Sequence, residues 1–160
     1  MEVILRKLEE SDAYTSVKWR NDPEVFKYTG NRYQNTITLE NELEWIRKVI
    51  NNSNECRCAI LADQNYIGNI YLTNIDRIER KATFHIFIVE KDYWGKGIGR
   101  IATKRMLQIA FNELGLESVN LRVRNQNLRA VKIYENVGFK EIFKDDSFSY
   151  MEIKAKEYLG

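Results

Sequence analysis

The sequence predicts an α+β domain in which helices flank a mixed, mostly antiparallel central sheet. Two observations carry this prediction. Three apolar runs follow one another in the middle of the chain, as in an antiparallel meander, and segments of helical periodicity stand before and after them. The 160 residues are enough for a domain with its own core, so we expect a single domain over residues 1–160.

The composition excludes several classes of protein. With 44% hydrophobic residues, 30% charged residues and one proline, the chain is typical of a globular domain and unlike collagen or a disordered segment. Its net charge of +2 is too small to predict binding to nucleic acid. Neither a signal-peptide pattern nor a run of about eighteen apolar residues is present, so we expect no membrane partner and a cytoplasmic location.

A strand followed by three helices is predicted for the first third of the chain. The apolar run 3–8 suits a strand, and Ser11 or Asp12 can cap the helix that follows. The only proline, Pro23, suits the first position of a short helix that ends near residue 28. Residues 38–51 place apolar side chains three and four apart, which indicates an amphipathic third helix. The apolar side of the first helix is predicted to carry Tyr14, Val17 and Trp19.

Three strands, and then alternating helices and strands, are predicted for the rest of the chain. The strands are the apolar runs Cys56–Ala62, 66–75 and 82–89. A long helix begins near Ile98 and Gly115 ends it. The elements predicted after it are a strand at 119–123, a helix from Asn127 to about Gly138, and strands at 139–143 and 148–153.

The two cysteines do not predict a metal or redox site. Cys56 and Cys58 would share one face of a strand, and the chain has no second cysteine pair to complete a metal site. We interpret both as reduced core residues and expect no metal.

Gly95, Gly97 and Gly99 stand at alternate positions between a predicted strand and a predicted helix. Glycines leave backbone N–H groups unshielded and a helix N-terminus adds partial positive charge, so this segment suits an anion; a flexible turn is the alternative. A P-loop would need Gly-Lys-Ser/Thr five residues after Gly95, and Arg100 stands there instead. The order G-x-G-x-x-A from Gly97 matches a dinucleotide fingerprint, but three strands precede it and the next strand ends in arginine rather than an acidic residue.

Two segments together resemble a known family. The first, W-G-K-G-I-G at residues 94–99, resembles the Q/R-x-x-G-x-G/A signature of the GNAT family of N-acetyltransferases. The second, N-x-x-A-x-x-x-Y-x-x-x-G-F at residues 127–139, resembles the second motif of that family. Trp94 stands where Gln or Arg is usual, as in branches similar to ribosomal-protein and amino-sugar acetyltransferases.

The resemblance implies acetyl-CoA as the co-substrate. It places the pyrophosphate on the backbone amides of residues 95–100 and the pantetheine along the strand that ends at Ile88 and Val89, with the Val89 amide facing the thioester carbonyl. For Asn127, a helix N-cap is an alternative role. The residues implied to contact the cofactor are Ile88, Val89, Trp94, Gly95, Lys96, Gly97, Ile98, Gly99, Arg100, Asn127, Ala130 and Tyr134.

Direct attack of an amine on the thioester requires the amine to lose a proton and the departing thiolate to gain one. The resemblance implies Tyr134 as the general acid, because a phenol with a pKa of about 10 stays protonated at neutral pH; a core role is the alternative. Glu90 and His85 are taken as the candidates for the general base, and the alternatives are Asp92 past the strand end, Glu79 before the strand and Glu24 on the helix near the acceptor. For His85, a buried and hydrogen-bonded residue is the alternative, and deprotonation relayed by water would need neither.

The acceptor is the least determined part of the prediction. The segment W-R-N-D-P-E at 19–24 resembles one that borders the acceptor in related enzymes, so we expect Trp19, Arg20 and Glu24 to contact it; a capped turn between two helices explains the same residues. The acceptor would be a nucleotide-linked amino sugar, a polyamine or a similar small amine, or a protein N-terminus. The short chain after Phe139 favours the amino-sugar branch. A catalytically idle acyl-CoA sensor or interaction domain is the alternative function, and a homodimer is compatible with the fold.

Overall fold

One mixed sheet organises the computed structural model, which describes residues 1–26 and 36–158. Its strands are β1 (Val3–Lys7), β2 (Cys56–Ala62), β3 (Asn65–Asp76), β4 (Lys81–Ile88), β5 (Ser118–Arg124), β6 (Lys140–Lys144) and β7 (Phe148–Lys154). In the described residues the strand order is β1-β2-β3-β4-β5-β7-β6, and every neighbouring pair is antiparallel except β4 and β5. The predicted α+β class with a mostly antiparallel sheet is therefore confirmed.

Helices cover both faces of this sheet. They are α1 (Ala13–Arg20), α2 (Pro23–Phe26), α3 (Leu39–Ile50), α4 (Ile98–Gln108) and α5 (Leu128–Val137). Side chains alternate along β2, so Cys58 and Ile60 pack in the core under α4, whereas Ala59 packs with Ile46 of α3 on the opposite face. The two helical layers therefore meet different sets of residues from the same strands. No helix in the described ranges is long and apolar enough to span a membrane.

The predicted third helix is confirmed, and its start has a specific cause. Thr38 accepts a hydrogen bond from the Asn41 amide at 3.0 Å, and the Asn41 side chain accepts one from the Thr38 amide at 3.4 Å. This reciprocal pair satisfies backbone donors that the first turn leaves without intrahelical partners. The apolar face predicted from spacing then directs Ile46 and Val49 into the core.

The buried side of α1 differs from the prediction. Tyr14 is 59% exposed, and the residues buried instead are Ala13 and Ser16. The cause is the fully buried Glu42 of α3, whose carboxylate accepts a hydrogen bond from the Ser16 hydroxyl at 2.9 Å. The Arg20 guanidinium completes this contact by donating to Glu42 at 3.0 Å. A polar contact thus orients α1, because a buried carboxylate must be paired.

The ends of two helices can be compared with their predictions. The long helix after the glycines begins at Ile98 and ends before Gly115 as predicted; its last part is a π-helical turn at Ile109–Glu113, and Gly115 has a left-handed conformation with φ of 65°. The predicted end of the second helix near residue 28 lies outside the described residues. Both cysteines are free thiols, Cys58 buried and Cys56 half-buried.

The sheet opens between β4 and β5. Their parallel pairing is limited to residues 81–83 of β4 and 118–120 of β5. At its last step the Thr83 hydroxyl donates to the Asn120 side-chain oxygen at 3.0 Å, and the Asn120 amide nitrogen donates to the Ala82 carbonyl at 3.1 Å. Beyond this side-chain bridge, β4 pairs with β3 alone. The remaining edge of β4 therefore faces a cleft.

Candidate active site

A cavity of about 550 Å³ lies at the opening between β4 and β5. Its walls come from the end of β4, the glycine segment 94–99, the first turns of α4 and one side of α5. The side chains and backbone that line it belong to Ile86, Phe87, Ile88, Tyr93, Trp94, Gly95, Gly97, Gly99, Arg100, Thr103, Asn127, Arg129, Ala130, Ile133 and Tyr134.

The glycine segment takes a backbone form that side chains disfavour. Gly95 and Gly97 have φ of 76° and 82°, in the left-handed region. A Cβ atom added at Gly97 would meet no other atom of residues 1–26 and 36–158 within 4 Å, so the glycine is needed for its conformation, and within the described chain the space beside it is open to a ligand. Gly97 caps α4 without a side-chain hydrogen bond, so the first amides of the helix, from Ile98 to Arg100, have no intrahelical acceptor. An anion in the cavity would meet these donors and the positive end of the helix.

Trp94 ties this segment to the end of β4. Its indole Nε1 donates to the Ile88 carbonyl at 3.0 Å. Trp94 thus supplies a donor at the position where the motif usually has Gln or Arg, and its half-buried ring forms part of the cavity wall. Although Trp94 differs from the usual motif residue, its hydrogen bond still links the loop to β4.

The exposed edge of β4 corrects one expectation. The Val89 amide donates to the Ile67 carbonyl of β3 at 2.9 Å, so the expectation that this amide faces a thioester carbonyl is wrong. Backbone groups alternate in direction along a strand, so the amide and carbonyl of Ile88 point the other way, towards the cleft. The Trp94 bond to the Ile88 carbonyl agrees with that direction. The cleft-facing polar groups near the strand end therefore belong to Ile88.

Tyr134 lies in the cavity with its ring held between two phenylalanines. Phe84 and Phe139 meet it edge to face, with ring centroids 6.0 and 5.8 Å away. Burial raises the pKa of Tyr134 to about 12, so its hydroxyl is protonated at neutral pH. In the described parts of the chain this hydroxyl makes no hydrogen bond, and its oxygen is not fully buried. It is a donor available to a ligand.

His85 lies on the opposite face of β4 from Tyr134, because it follows Phe84, whose ring contacts Tyr134, and successive strand residues alternate. Its ring stacks on Tyr71 at 4.7 Å and shares a 2.9 Å hydrogen bond with Thr73. Burial, followed by the charge of Arg57, lowers the pKa of His85 below its usual value, so the ring is neutral at pH 7. Glu90, the other base candidate, is exposed beyond the strand end.

The three predicted acceptor contacts lie on α1 and α2. The Trp19 ring packs against the Tyr66 ring, with 4.6 Å between the ring centroids. Arg20 is held by Glu42 and lies 5.0 Å from the Trp45 ring centroid. Glu24 is exposed in the first turn of α2. None of the three is among the residues of the described chain that line the cavity.

The cavity gathers nine of the twelve residues predicted to contact the cofactor, so the two motifs do converge in space. Of the others, Lys96 is exposed, Ile98 is buried in the core, and Val89 is tied to β3. Asn127 also caps α5 by accepting from the Ala130 amide at 3.2 Å, so the N-cap alternative describes a real contact. Cavity residues that the sequence reasoning missed are Ile86, Phe87, Tyr93, Thr103, Arg129 and Ile133.

The cavity lies where the sheet opens between two parallel strands, and it combines a helix start, a free strand edge and a protonated tyrosine, an arrangement that suits an extended ligand with a phosphate group. The comparison with known families agrees. The acetyltransferase (GNAT) domain matches residues 2–140, so the chain belongs to that family.

The similar proteins include named acetyltransferases and one uncharacterized protein. The chain is 32% identical over 142 residues to a spermidine N(1)-acetyltransferase of Vibrio cholerae, covering 88% of this chain and 80% of that protein. It is 24% identical to an uncharacterized protein of Methanocaldococcus jannaschii, but spans only 29% of that protein's length. A crystal structure of the Vibrio cholerae spermidine N-acetyltransferase with CoA and spermine superposes with a TM-score of 0.85 at 28% identity, over 99% of this chain and 98% of that one.

The chain is therefore an acetyl-CoA-dependent N-acetyltransferase that transfers acetyl to an amine. The predicted family, enzyme class and co-substrate are confirmed. The preference for an amino-sugar acceptor stays a prediction. Among the described residues, no group of three or more His, Cys, Asp and Glu side chains is arranged to hold a metal ion.

Proposed function

We propose that the protein acetylates a primary amine by direct attack on acetyl-CoA within a ternary complex, in the cleft between β4 and β5. The observation that supports this most is the cavity of about 550 Å³, where unpaired helix amides, a free strand edge and the Tyr134 hydroxyl meet. Each feature suits a different part of the cofactor. The helix amides suit the phosphates, the strand edge suits the pantetheine amides, and the Tyr134 hydroxyl suits the sulfur.

The pyrophosphate lies on the amides from Gly95 to Arg100, at the positive end of α4. The pantetheine continues towards β4 and pairs with its free edge, as an added strand would. With the Val89 amide committed to β3, the Ile88 amide is the backbone donor for the thioester oxygen. Asn127, at the start of α5, contacts the pantetheine from the other side of the cavity.

In the transfer itself, the amine nitrogen bonds to the carbonyl carbon, the carbon–sulfur bond breaks, the nitrogen loses a proton and the sulfur gains one. Tyr134 is the general acid and donates towards the sulfur, since its hydroxyl is protonated and has no hydrogen bond in the described chain. His85 is the proposed base, because its neutral ring lies on the α3 side of the sheet, stacked on Tyr71, and in this proposal the acceptor approaches from that side. Glu90 at the strand end, or a water relay, is the alternative.

In this proposal the acceptor approaches from the α1 and α2 side and meets Trp19, Arg20 and Glu24 before it reaches the cavity, which none of the three lines in the described chain. Two acceptor classes lead: a polyamine, which is what the Vibrio cholerae relatives act on by name, and an amino sugar linked to a nucleotide, which the sequence pattern favours. A protein N-terminal amine is the third class.

A panel of amines with acetyl-CoA, followed by release of the CoA thiol, tests this proposal. It should contain spermidine and spermine, nucleotide-linked amino sugars, and peptides with free N-termini. We expect one class to show saturable turnover. Tight acetyl-CoA binding with no transfer to any of these amines would contradict the transferase proposal and favour the sensor alternative. The product's mass then shows which nitrogen was acetylated.

A further inference from the structure

We propose that Arg129, on the first turn of α5, is a second cationic contact for the pyrophosphate of acetyl-CoA, held over the glycine segment opposite the start of α4. The proposal rests on the pyrophosphate placement given above. Arg129 stands at a position of the second motif for which no residue type is specified, and the packing of α5 beside the loop brings it there.

The Arg129 guanidinium lies flat above Gly95. Its Cζ, Nη1 and Nη2 atoms are each 3.9 Å from the position that a Cβ of Gly95 would occupy. Since the Cβ position of Gly95 is equally far from all three atoms, it lies above the flat face of the guanidinium and not beside its edge. The N–H bonds of a guanidinium lie in its plane, so they point across the loop surface and remain open to hydrogen bonds.

Nothing else in the described chain uses this charge. Across residues 1–26 and 36–158, no carboxylate oxygen lies within 4.0 Å of the Arg129 side chain. The side chain is exposed and lines the cavity together with Arg100. An arginine that packs on a glycine loop without a carboxylate partner, beside unpaired helix amides, is placed to bind an anion.

The chemistry of the pair suits a diphosphate. A planar guanidinium can give two parallel hydrogen bonds to phosphate oxygens, which an ammonium cannot. Arg100 approaches from α4 and Arg129 from α5, so a diphosphate between them would meet one cation from each helix as well as the amides of residues 98–100. The open space beside Gly97 leaves room for it.

The test compares Arg129→Ala with wild type on three acetyl donors. Acetyl-CoA has the pyrophosphate and the 3′-phosphate, acetyl-dephospho-CoA has only the pyrophosphate, and S-acetylpantetheine has neither. We expect Arg129→Ala to lower kcat/KM by about 10- to 100-fold, equally for the first two donors, and to leave S-acetylpantetheine unchanged. Arg129→Lys should recover part of the loss. Lys132→Ala, which removes an exposed cation of α5 away from the cavity, is the matched control and should behave as wild type.

Each other outcome overturns the assignment. A loss with acetyl-CoA but not with acetyl-dephospho-CoA would move Arg129 to the 3′-phosphate. A loss with all three donors would give it a structural role, and no loss would remove it from the site. If wild type shows no preference for acetyl-CoA over S-acetylpantetheine, the pyrophosphate placement itself fails, which is a different result from failure of Arg129 alone.

Discussion

Replacing Tyr134 by Phe removes one hydroxyl and little else. The ring keeps its edge contacts with Phe84 and Phe139, and the hydroxyl makes no hydrogen bond in the described chain. The free energy of unfolding should therefore change by less than about 1 kcal/mol. Acetyl-CoA affinity should also be close to that of wild type, because in the proposed complex the phosphates and pantetheine contact other residues of the cavity.

The expected loss in kcat follows from the raised pKa. The pKa of Tyr134, about 12, is well above the pKa of about 8.5 for a thiol, so complete transfer of the proton from the phenol to the thiolate costs about 5 kcal/mol. Most of the benefit therefore comes from the hydrogen bond to the developing thiolate, which contributes about 1.5–3 kcal/mol for a charged partner. Tyr134→Phe should accordingly lower kcat by about 10- to 150-fold.

The assay is release of the CoA thiol with the best amine of the panel, with KM for acetyl-CoA and the midpoint of thermal unfolding measured in parallel. Tyr93→Phe is the matched control, since Tyr93 also lines the cavity, and it should change kcat less than about threefold. A kcat for Tyr134→Phe within twofold of wild type would refute the role of the hydroxyl. A change confined to KM for acetyl-CoA would refute it as well.

Three further predictions concern the loop and the base. Gly97→Ala should lower the free energy of unfolding by about 1–2 kcal/mol, because φ at Gly97 is 82°, and it should also raise KM for acetyl-CoA. The control is Gly115→Ala, at a φ of 65° outside the cavity, which should lower the stability without raising KM. Equal increases of KM in the two variants would contradict the role of the loop. Trp94→Phe removes the donor to Ile88 and should weaken CoA binding by about 2- to 12-fold in a titration, whereas Trp94→Gln, which keeps a donor, should bind more tightly than Trp94→Phe. Burial lowers the pKa of His85 below its usual value of about 6.5, so if His85 is the base, kcat/KM should stay constant from neutral pH down to about 6.5 and fall only at lower pH. His85→Gln should remove this fall at low pH. A pH profile that the substitution leaves unchanged would exclude His85 as the base.

Elements whose signal is local were predicted closely. The strand Cys56–Ala62 has the predicted bounds, and the third helix differs from its prediction only in its end residues. Apolar spacing and a capping Thr38 act within a few residues, so the sequence contains all the information they need. The glycine segment belongs to the same group, because a left-handed φ is a property that glycine itself permits.

Features that depend on a distant partner were predicted poorly. The apolar side predicted for α1 includes Tyr14, which is 59% exposed, whereas Val17 and Trp19 are half-buried; Glu42, far along the chain, buries Ser16 instead through a hydrogen bond. The Val89 amide was assigned to the thioester, but pairing with Ile67 takes it. No local pattern shows which strand edge will be occupied, because hydrogen bonds across a sheet join residues remote in sequence.

The sequence by itself determined the family and the co-substrate, and it predicted the loop that would contact acetyl-CoA, since both depend on two motifs of a few residues each. Only the tertiary structure decided which groups of that loop and strand are free. The β4–β5 pairing ends at Thr83 and Asn120, beyond which the cleft lies, and the packing of α5 brings Arg129 over Gly95. Both follow from contacts between separate elements, and such contacts exist only once the sheet and its helices have assembled.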